Sequence, residues 1–512
     1  MPVNKPQLIE EALVQPLGVT QQAEAVKLCT LDLRRPTLTE RVAVLFTFPN
    51  HSSAASWQRS LQDLLEKYPV CCGRLQFDGK DGYIACSSAG IPFYEAVQAG
   101  VVNMHDAALP ATATAFTQVI DIKQMLSGQE ALLKVQVTHC GDNQTMLGIT
   151  IAQVLSDLTG LVDLLKDWMK LHQQQLPEGL PMPEFDRQVV QPVQKINKRL
   201  PNSSILQLLG LFGAYISVMC QVLWQGAFSA YPPTVLVIPL PTLQDFKDRM
   251  NSLPLSGPHR LSSNDLLCSI LWHVSCLVRD RTNSSGTFYL PFDLRQMHVP
   301  DAYFGNAHSM LSVLDPDRAP IDTKSVSKDE TEVSVVLTAR LVRRAVVDAR
   351  NEGKSAQEVS QQLKSPSSSW LSRTAASLDR VINHDASLAS WQELYRLVSA
   401  FDFGAGVPIG LATVRQGSDA QSWTAWWGQN LLTGKVYLHA GTGNNIEADV
   451  FFLESSDSDL ALETSSIHML VSDEGAQQSV SQTWAADPVS PAQAHIAARE
   501  SKASPSGQSA NL

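Results

Sequence analysis

The stretch QVLSDLTG sets an amide and a carboxylate four residues apart, Gln153 and Asp157, between a strand-like run and an amphipathic helix. A glutamine side chain donates and accepts hydrogen bonds but has no basic site near neutral pH, so it can orient a reacting group and cannot take its proton. Elsewhere the chemistry-bearing patterns are sparse. There is no GxSxG elbow, no GxxxxGK[ST] loop, no HExxH and no Cys/His cluster with metal spacing. GTGNN, Gly441 to Asn445, is like a phosphate loop only in composition; lying between strand-like runs, it reads as a hairpin turn. The tandem Cys71-Cys72 precedes Gly73-Arg74 at a turn, where packing is the simpler reading.

The elements that must position Gln153 and Asp157 follow from periodicity. Val42 to Phe48 is a continuous apolar run, Ser56 to Tyr68 has helical apolar spacing, and Leu132 to Cys140 alternates as a strand. Thr145 to His172 reads as a strand passing through a short turn into an amphipathic helix. A Pro- and Gln-rich crossover stretch, His172 to Pro201, separates this half from a second one. There, Pro232 to Leu240 and Thr287 to Arg295 read as strands, Asn264 to Arg281 as a helix opened by Ser262 and Ser263, and Thr331 to Asn351 and Ser377 to Leu397 as further helices. Trp423 to Gly441 and Ile446 to Ser455 carry strand character. The expected division is a leader over 1–24, an N-terminal domain over 25–172, a crossover linker over 173–231, a C-terminal domain over 232–465 and a disordered tail over 466–512.

Composition bounds the function. With 39 Lys+Arg against 50 Asp+Glu the net charge is −11, which argues against a nucleic-acid partner bound by broad phosphate neutralisation. Hydrophobic residues make up 44% and charged residues 17%, so a large core is within reach and disorder throughout is excluded. Eight scattered cysteines without a CxxC pair, and an N-terminus bearing Glu10 and Glu11 where an export signal needs an apolar run, point to a cytoplasmic protein with reduced thiols. From Pro201 to Gln244 there is no charged residue, and Ser204 to Phe228 is long enough to span a bilayer. Gln207, Ala214, Gln221 and Gln225 share one helix face, however, which fits packing on the protein body or contact with a membrane surface better than a span.

Several stretches together resemble the BAHD acyltransferases, the plant, algal and fungal family that moves an acyl group from acyl-CoA to an alcohol or amine. Leu28 to Leu33 (LCTLDL), Leu64 to Leu75 (LLEKYPVCCGRL), Val137 to Gly160, Arg260 to Trp272, Asp293 to Ala307 (DLRQMHVPDAYFGNA) and Phe401 to Gly406 (FDFGAG) match in type and order, over about residues 25 to 465. The resemblance implies an α/β fold with mixed sheets: two chloramphenicol-acetyltransferase-like domains joined by the crossover linker, with an active-site channel between them. It implies acyl-CoA as co-substrate, no permanently bound cofactor or metal, a small-molecule acceptor of secondary metabolism, and a monomer. The uncharged helix makes a lipophilic acceptor and a peripheral membrane position reasonable expectations.

The same resemblance assigns roles. Gln153 stands where the family's HxxxD motif carries its catalytic base, Asp157 at the structural Asp that pairs with an Arg, and Gly160 two places beyond the motif glycine. Arg295, Asn306, Asp402 and Gly404 are implied to frame the site, with Arg295 and Asp402 as an ion pair. In DFGWG, the Trp thought to help the tetrahedral intermediate in some members is replaced by Ala405, so that both groups nearest the bond change are expected to be missing. His139 and His308 lie in motif regions and offer themselves as substitute bases, although packing or polar roles are the plainer reading of each. Three functions stay open: an acyltransferase with a non-standard residue at Gln153, a catalytically silent protein of this fold that binds CoA, a metabolite or a partner enzyme, and a pocket turned to cyclisation or isomerisation.

Overall fold

The computed structural model describes residues 5–16, 25–190, 234–314, 328–351, 384–416, 424–430 and 435–440, apart from 30, 34, 80, 88, 101–109, 175–178, 255–259, 279–286, 297 and 399–400. The uncharged segment Ser204 to Phe228, GTGNN, the run Ile446 to Ser455 and the expected tail lie outside these residues. Among the described residues no helix is long and apolar enough to cross a membrane.

The first half is a six-stranded mixed sheet. Its strands are β1 (Gln7–Val14), β3 (Arg41–Phe48), β6 (Ile91–Gln98), β7 (Leu133–Cys140), β8 (Thr145–Ala152) and β13 (Gly410–Gln416), in the order β1-β6-β7-β8-β3-β13. A small sheet of β2 (Val26–Lys27), β5 (Asp81–Ala85) and β4 (Arg74–Asp78) stands beside it. Every residue of β8 is buried, which its apolar run TMLGITIA requires of a strand covered on both faces. Helices α1 (Ala54–Lys67) and α2 (Leu158–His172) cover one face of the sheet, burying Trp57, Leu61, Leu64 and Leu65 from one and Leu161, Leu164, Leu165 and Trp168 from the other. Each such leucine contributes about 1.5–3 kcal/mol over an exposed one.

The second sheet runs β11 (His308–Leu314), β10 (Thr287–Asp293), β12 (His384–Ser390), β14 (Thr424–Asn430), β15 (Lys435–Ala440), β9 (Thr234–Pro239), with β10–β12 and β12–β14 parallel. It packs with α3 (Ser263–Val278) and α4 (Lys328–Asn351) around Trp272, Phe288, Leu294 and Val336. Ser262 caps α3: its hydroxyl accepts from the Asp265 amide at 3.3 Å, and the Asp265 carboxylate accepts from the Ser262 amide at 2.7 Å.

One expectation changes. Ser377 to Leu397 is not one helix: its described part is strand β12 followed by a short helix, α5 (Gln392–Val398). Pairing with β10 and β14 on both sides overrides the helical pattern of HDASLAS. Strand β13, from the far end of the chain, completes the first sheet by pairing antiparallel with β3 from Gly410↔Thr47 to Gln416↔Arg41. With it, Trp391, Leu394, Tyr395, Phe401 and Phe403 join the core of the first half.

Candidate active site

The loop 153–157 leaves the buried end of β8 and turns into α2. Gln153 is half-buried; its amide donates to the Glu40 carbonyl at 2.9 Å and its carbonyl accepts from Asn306 Nδ2 at 2.7 Å. The backbone at Gln153 is thus fixed from both sides. Among the described residues no hydrogen bond engages the Gln153 side-chain amide.

Asp157 closes the loop and caps α2, accepting from the Gly160 amide at 3.0 Å. Its two oxygens also take Arg295 Nη1 at 3.0 Å, Arg295 Nη2 at 3.1 Å and the Ala307 amide at 2.8 Å. Burial alone would raise this carboxyl, but the Arg295 charge and hydrogen bonds and the Ala307 amide hold it below the ordinary carboxylate range. For Arg295, burial opposes the charge, and Asp157 and Asp293 outweigh it and raise the guanidinium. The remaining Arg295 side-chain hydrogen bonds go to Asp293 Oδ1 and to the Tyr303 and Gly305 carbonyls. Such a carboxylate neither gives nor takes a proton in a reaction; it fastens the loop to the second half.

The expected Arg295–Asp402 pair does not form. Arg295 makes its ion pairs with Asp157 and Asp293, while Asp402 accepts from the Gly404 amide within its own turn at 2.8 Å. Gly404 has φ of 75°, the left-handed conformation that this turn needs. The neighbouring phenylalanines explain where the turn sits: Phe403 packs on Trp57 at 4.4 Å and Phe401 on Phe46 at 4.8 Å. Ala405 is fully buried and its carbonyl accepts from the Asn50 amide. Asn50 lies just past the end of β3, whereas Gln153 lies beside the start of that strand, where Arg41 pairs with Ala152. Eight residues of strand separate the two by about 25 Å. Ala405 is therefore not beside Gln153, and the expectation of two losses at one site reduces to one.

The two histidines divide in the same way. His139 pairs with Thr145 at the opposite end of β8 from Gln153, bonds Glu95 at 2.8 Å and stacks on His51 at 4.8 Å, too distant to serve the loop. His308 opens β11 opposite Asp293, is half-buried, and follows Asn306 and Ala307, both of which bond the loop. Thr159 in turn donates to Asp293 at 3.1 Å, so the first turn of α2 and the start of β11 share one polar cluster.

Two residues were not anticipated as part of the site. Asp32, fully buried, accepts from Asn306 Nδ2 at 2.8 Å and from the Cys29 amide at 2.9 Å. Arg187, also buried, donates to the Leu155 carbonyl at 2.7 Å and lies 3.5 Å from Asp32. Asp32 belongs to LCTLDL, a stretch already singled out; Arg187 is one basic residue in a mixed crossover segment and carries no signal of its own. Burial pushes the adjacent Cys29 thiol up to about 12, which leaves it un-ionised and a poor nucleophile. Among the described residues no group of three or more His, Cys, Asp or Glu could hold a metal ion.

The sequence matches the model of the transferase family over residues 7–425, and the chain belongs to this family, that of the BAHD acyltransferases. Its fold is similar to that of vinorine synthase, with 15% identity, 85% of this chain and 94% of that one covered, and a TM-score of 0.55. It is similar to F. sporotrichioides TRI101 complexed with coenzyme A and T-2, with 14% identity, 81% and 94% covered and a TM-score of 0.56. The F. graminearum TRI101 complex with coenzyme A and deoxynivalenol gives 13%, 81% and 94%, and 0.53. A search of curated proteins returned no match.

Proposed function

We propose that the protein transfers an acyl group from acyl-CoA to the hydroxyl or amine of a small molecule, with Gln153 at the position of the family's base. The observation that carries this reading is the Asp157–Arg295 clasp, with Asn306 on the Gln153 backbone carbonyl, which together hold the loop that presents Gln153. Two of the similar structures hold coenzyme A together with a small molecule, which supports the same class of substrates.

The acceptor's lone pair attacks the thioester carbonyl carbon, and the carbonyl electrons move to oxygen. Collapse of the tetrahedral intermediate breaks the C–S bond, and the thiolate leaves with the electron pair. The proton lost by the acceptor ends on that sulfur as free CoA thiol. The Gln153 side-chain Oε1 can accept from the acceptor's O–H or N–H and orient its lone pair, and its side-chain Nε2 can donate to the developing oxyanion. It cannot carry the proton. A positioned base is worth about 10²–10⁴ in rate, so an amine, nucleophilic in its neutral form, suits this site better than an alcohol. In this reading His308, two residues from Asn306 and near Asp157, takes the proton.

A silent CoA-binding protein is the second reading, favoured by the amide at Gln153 alone now that Ala405 lies elsewhere. Thermal melts with CoA and acyl-CoAs, and thiol release with panels of alcohols and amines, separate the two. Stabilisation with release supports the transferase, since binding to the folded state must raise its stability. Stabilisation without release points to the silent protein, and neither result removes both readings.

A further inference from the structure

Behind the loop 153–157, three segments from separate parts of the chain meet on buried polar groups. Asp32 comes from the N-terminal stretch, Arg187 from the crossover segment, and Asn306 from the turn before β11. Asn306 Nδ2 donates to Asp32 at 2.8 Å and to the Gln153 carbonyl at 2.7 Å, while Arg187 Nη2 donates to the Leu155 carbonyl at 2.7 Å. The Tyr303 ring lies 5.8 Å from the Arg187 guanidinium and 5.5 Å from that of Arg295. A Cβ on Gly305 would stand 2.0 Å from Arg187 Nη1, so the backbone there leaves room for this arginine and for nothing larger than hydrogen.

We infer that Arg187 and Asp32 form a positioning device for Gln153: they set the height of the 153–155 backbone, through Leu155 directly and through Asn306, and so tie the crossover segment to the reacting site. The inference rests on the transferase reading for its kinetic consequence, but not for its geometry. Asp157 and Arg295 anchor the loop where it enters α2; Arg187 and Asp32 fix it at the other end, where the amide is presented. Neither touches the substrate's reacting atoms. A donor that moves a loop by a fraction of an ångström acts on the attack geometry, and a misplacement of about 1 Å costs about 10²-fold in rate.

The test compares the full chain with Arg187→Lys, which keeps a charge beside Asp32 but gives up the forked reach to Leu155, and with Asp32→Asn/Arg187→Gln, which leaves no buried charge unpaired. For each, kcat and KM for an acyl-CoA are measured per folded protein, together with melting and hydrogen exchange of the Leu155 and Asp157 amides. The expected result is a fall in kcat of about 10–100-fold in both variants, with KM for acyl-CoA within about twofold, and loop amides that exchange at least about tenfold faster while those of β8 do not change. Unaltered kcat per folded protein and unaltered loop exchange would overturn the inference. If the unmodified protein turns over no substrate, the transferase reading fails and the exchange result alone decides the positioning role.

Discussion

Asp157 and Arg295, 138 positions apart, meet through two parallel hydrogen bonds of 3.0 and 3.1 Å, both side chains buried. One carboxylate thereby caps a helix of the first half and fastens it to the second. This geometry bears directly on stability and on pH.

Asp157→Asn should lower stability by about 3–5 kcal/mol, because it leaves the Arg295 charge buried beside an amide. The Asp157 pKa is depressed in the folded state, so its contribution is complete above the ordinary carboxylate value of about 3.9 and is lost as pH falls through the lower folded value. Denaturant melts across the acid range should show a shallower decline for Asp157→Asn than for the unmodified protein; parallel declines would show that the clasp does not titrate as described.

Gln153→His restores an imidazole to a loop whose backbone is already fixed. Transfer to an alcohol should rise by about 10²–10⁴-fold, and the pH–rate profile should gain a limb near the imidazole range. His308→Asn should abolish the residual turnover of the unmodified protein and leave that of Gln153→His largely intact. Equal losses in both backgrounds would assign His308 a structural role.

Gly305→Ala should destabilise by about 1–3 kcal/mol, since the new methyl would stand 2.0 Å from Arg187 Nη1 and 2.5 Å from the Tyr303 hydroxyl, neither of which is at a free surface. Chemical denaturation measures the loss, and a neutral result would mean that the arginine can swing away at no cost.

His172 gives the fold a second pH response nearer neutrality. Burial lowers its pKa, against the opposing influence of the Phe403 carbonyl and Asp402, and its ring packs on Trp57 at 4.9 Å and bonds Ser60 at 2.9 Å. With the folded value below the ordinary one of about 6.5, this stabilisation is complete above that pH and fades as pH falls through the folded value. Melting temperatures between pH 8 and 5 should decline less steeply in His172→Gln; identical slopes would remove His172 as the source.

The strands and helices that carry the site were legible because their patterns are local. The runs Val42 to Phe48 and Thr145 to Ala152 are apolar enough to be central strands, and Asp157 stands where a helix cap is needed. What was not legible depended on distant partners. Arg295 faced two candidate carboxylates in the sequence, and only the fold places Asp157 against it. The motif puts Ala405 at the reacting site because motifs carry no distances, and the fold puts it beside Asn50 instead. GLATVRQ became β13 because β3 offers it an edge, and HDASLAS is a strand for a similar reason. Arg187 gave no signal because a lone arginine among polar residues has no periodicity to break.

Strand β13 also bears on how the chain assembles as it is made. The first sheet cannot close its β3 edge until residues 410–416 exist, yet its other five strands are complete at Ala152. At about 5–20 residues per second, synthesis of the intervening chain takes on the order of tens of seconds. During that time the nascent protein presents an apolar strand edge, and the bed for Phe401 and Phe403 is uncovered. Such an edge invites pairing with other chains, and it stays open until residues 410–416 are made and pair with it.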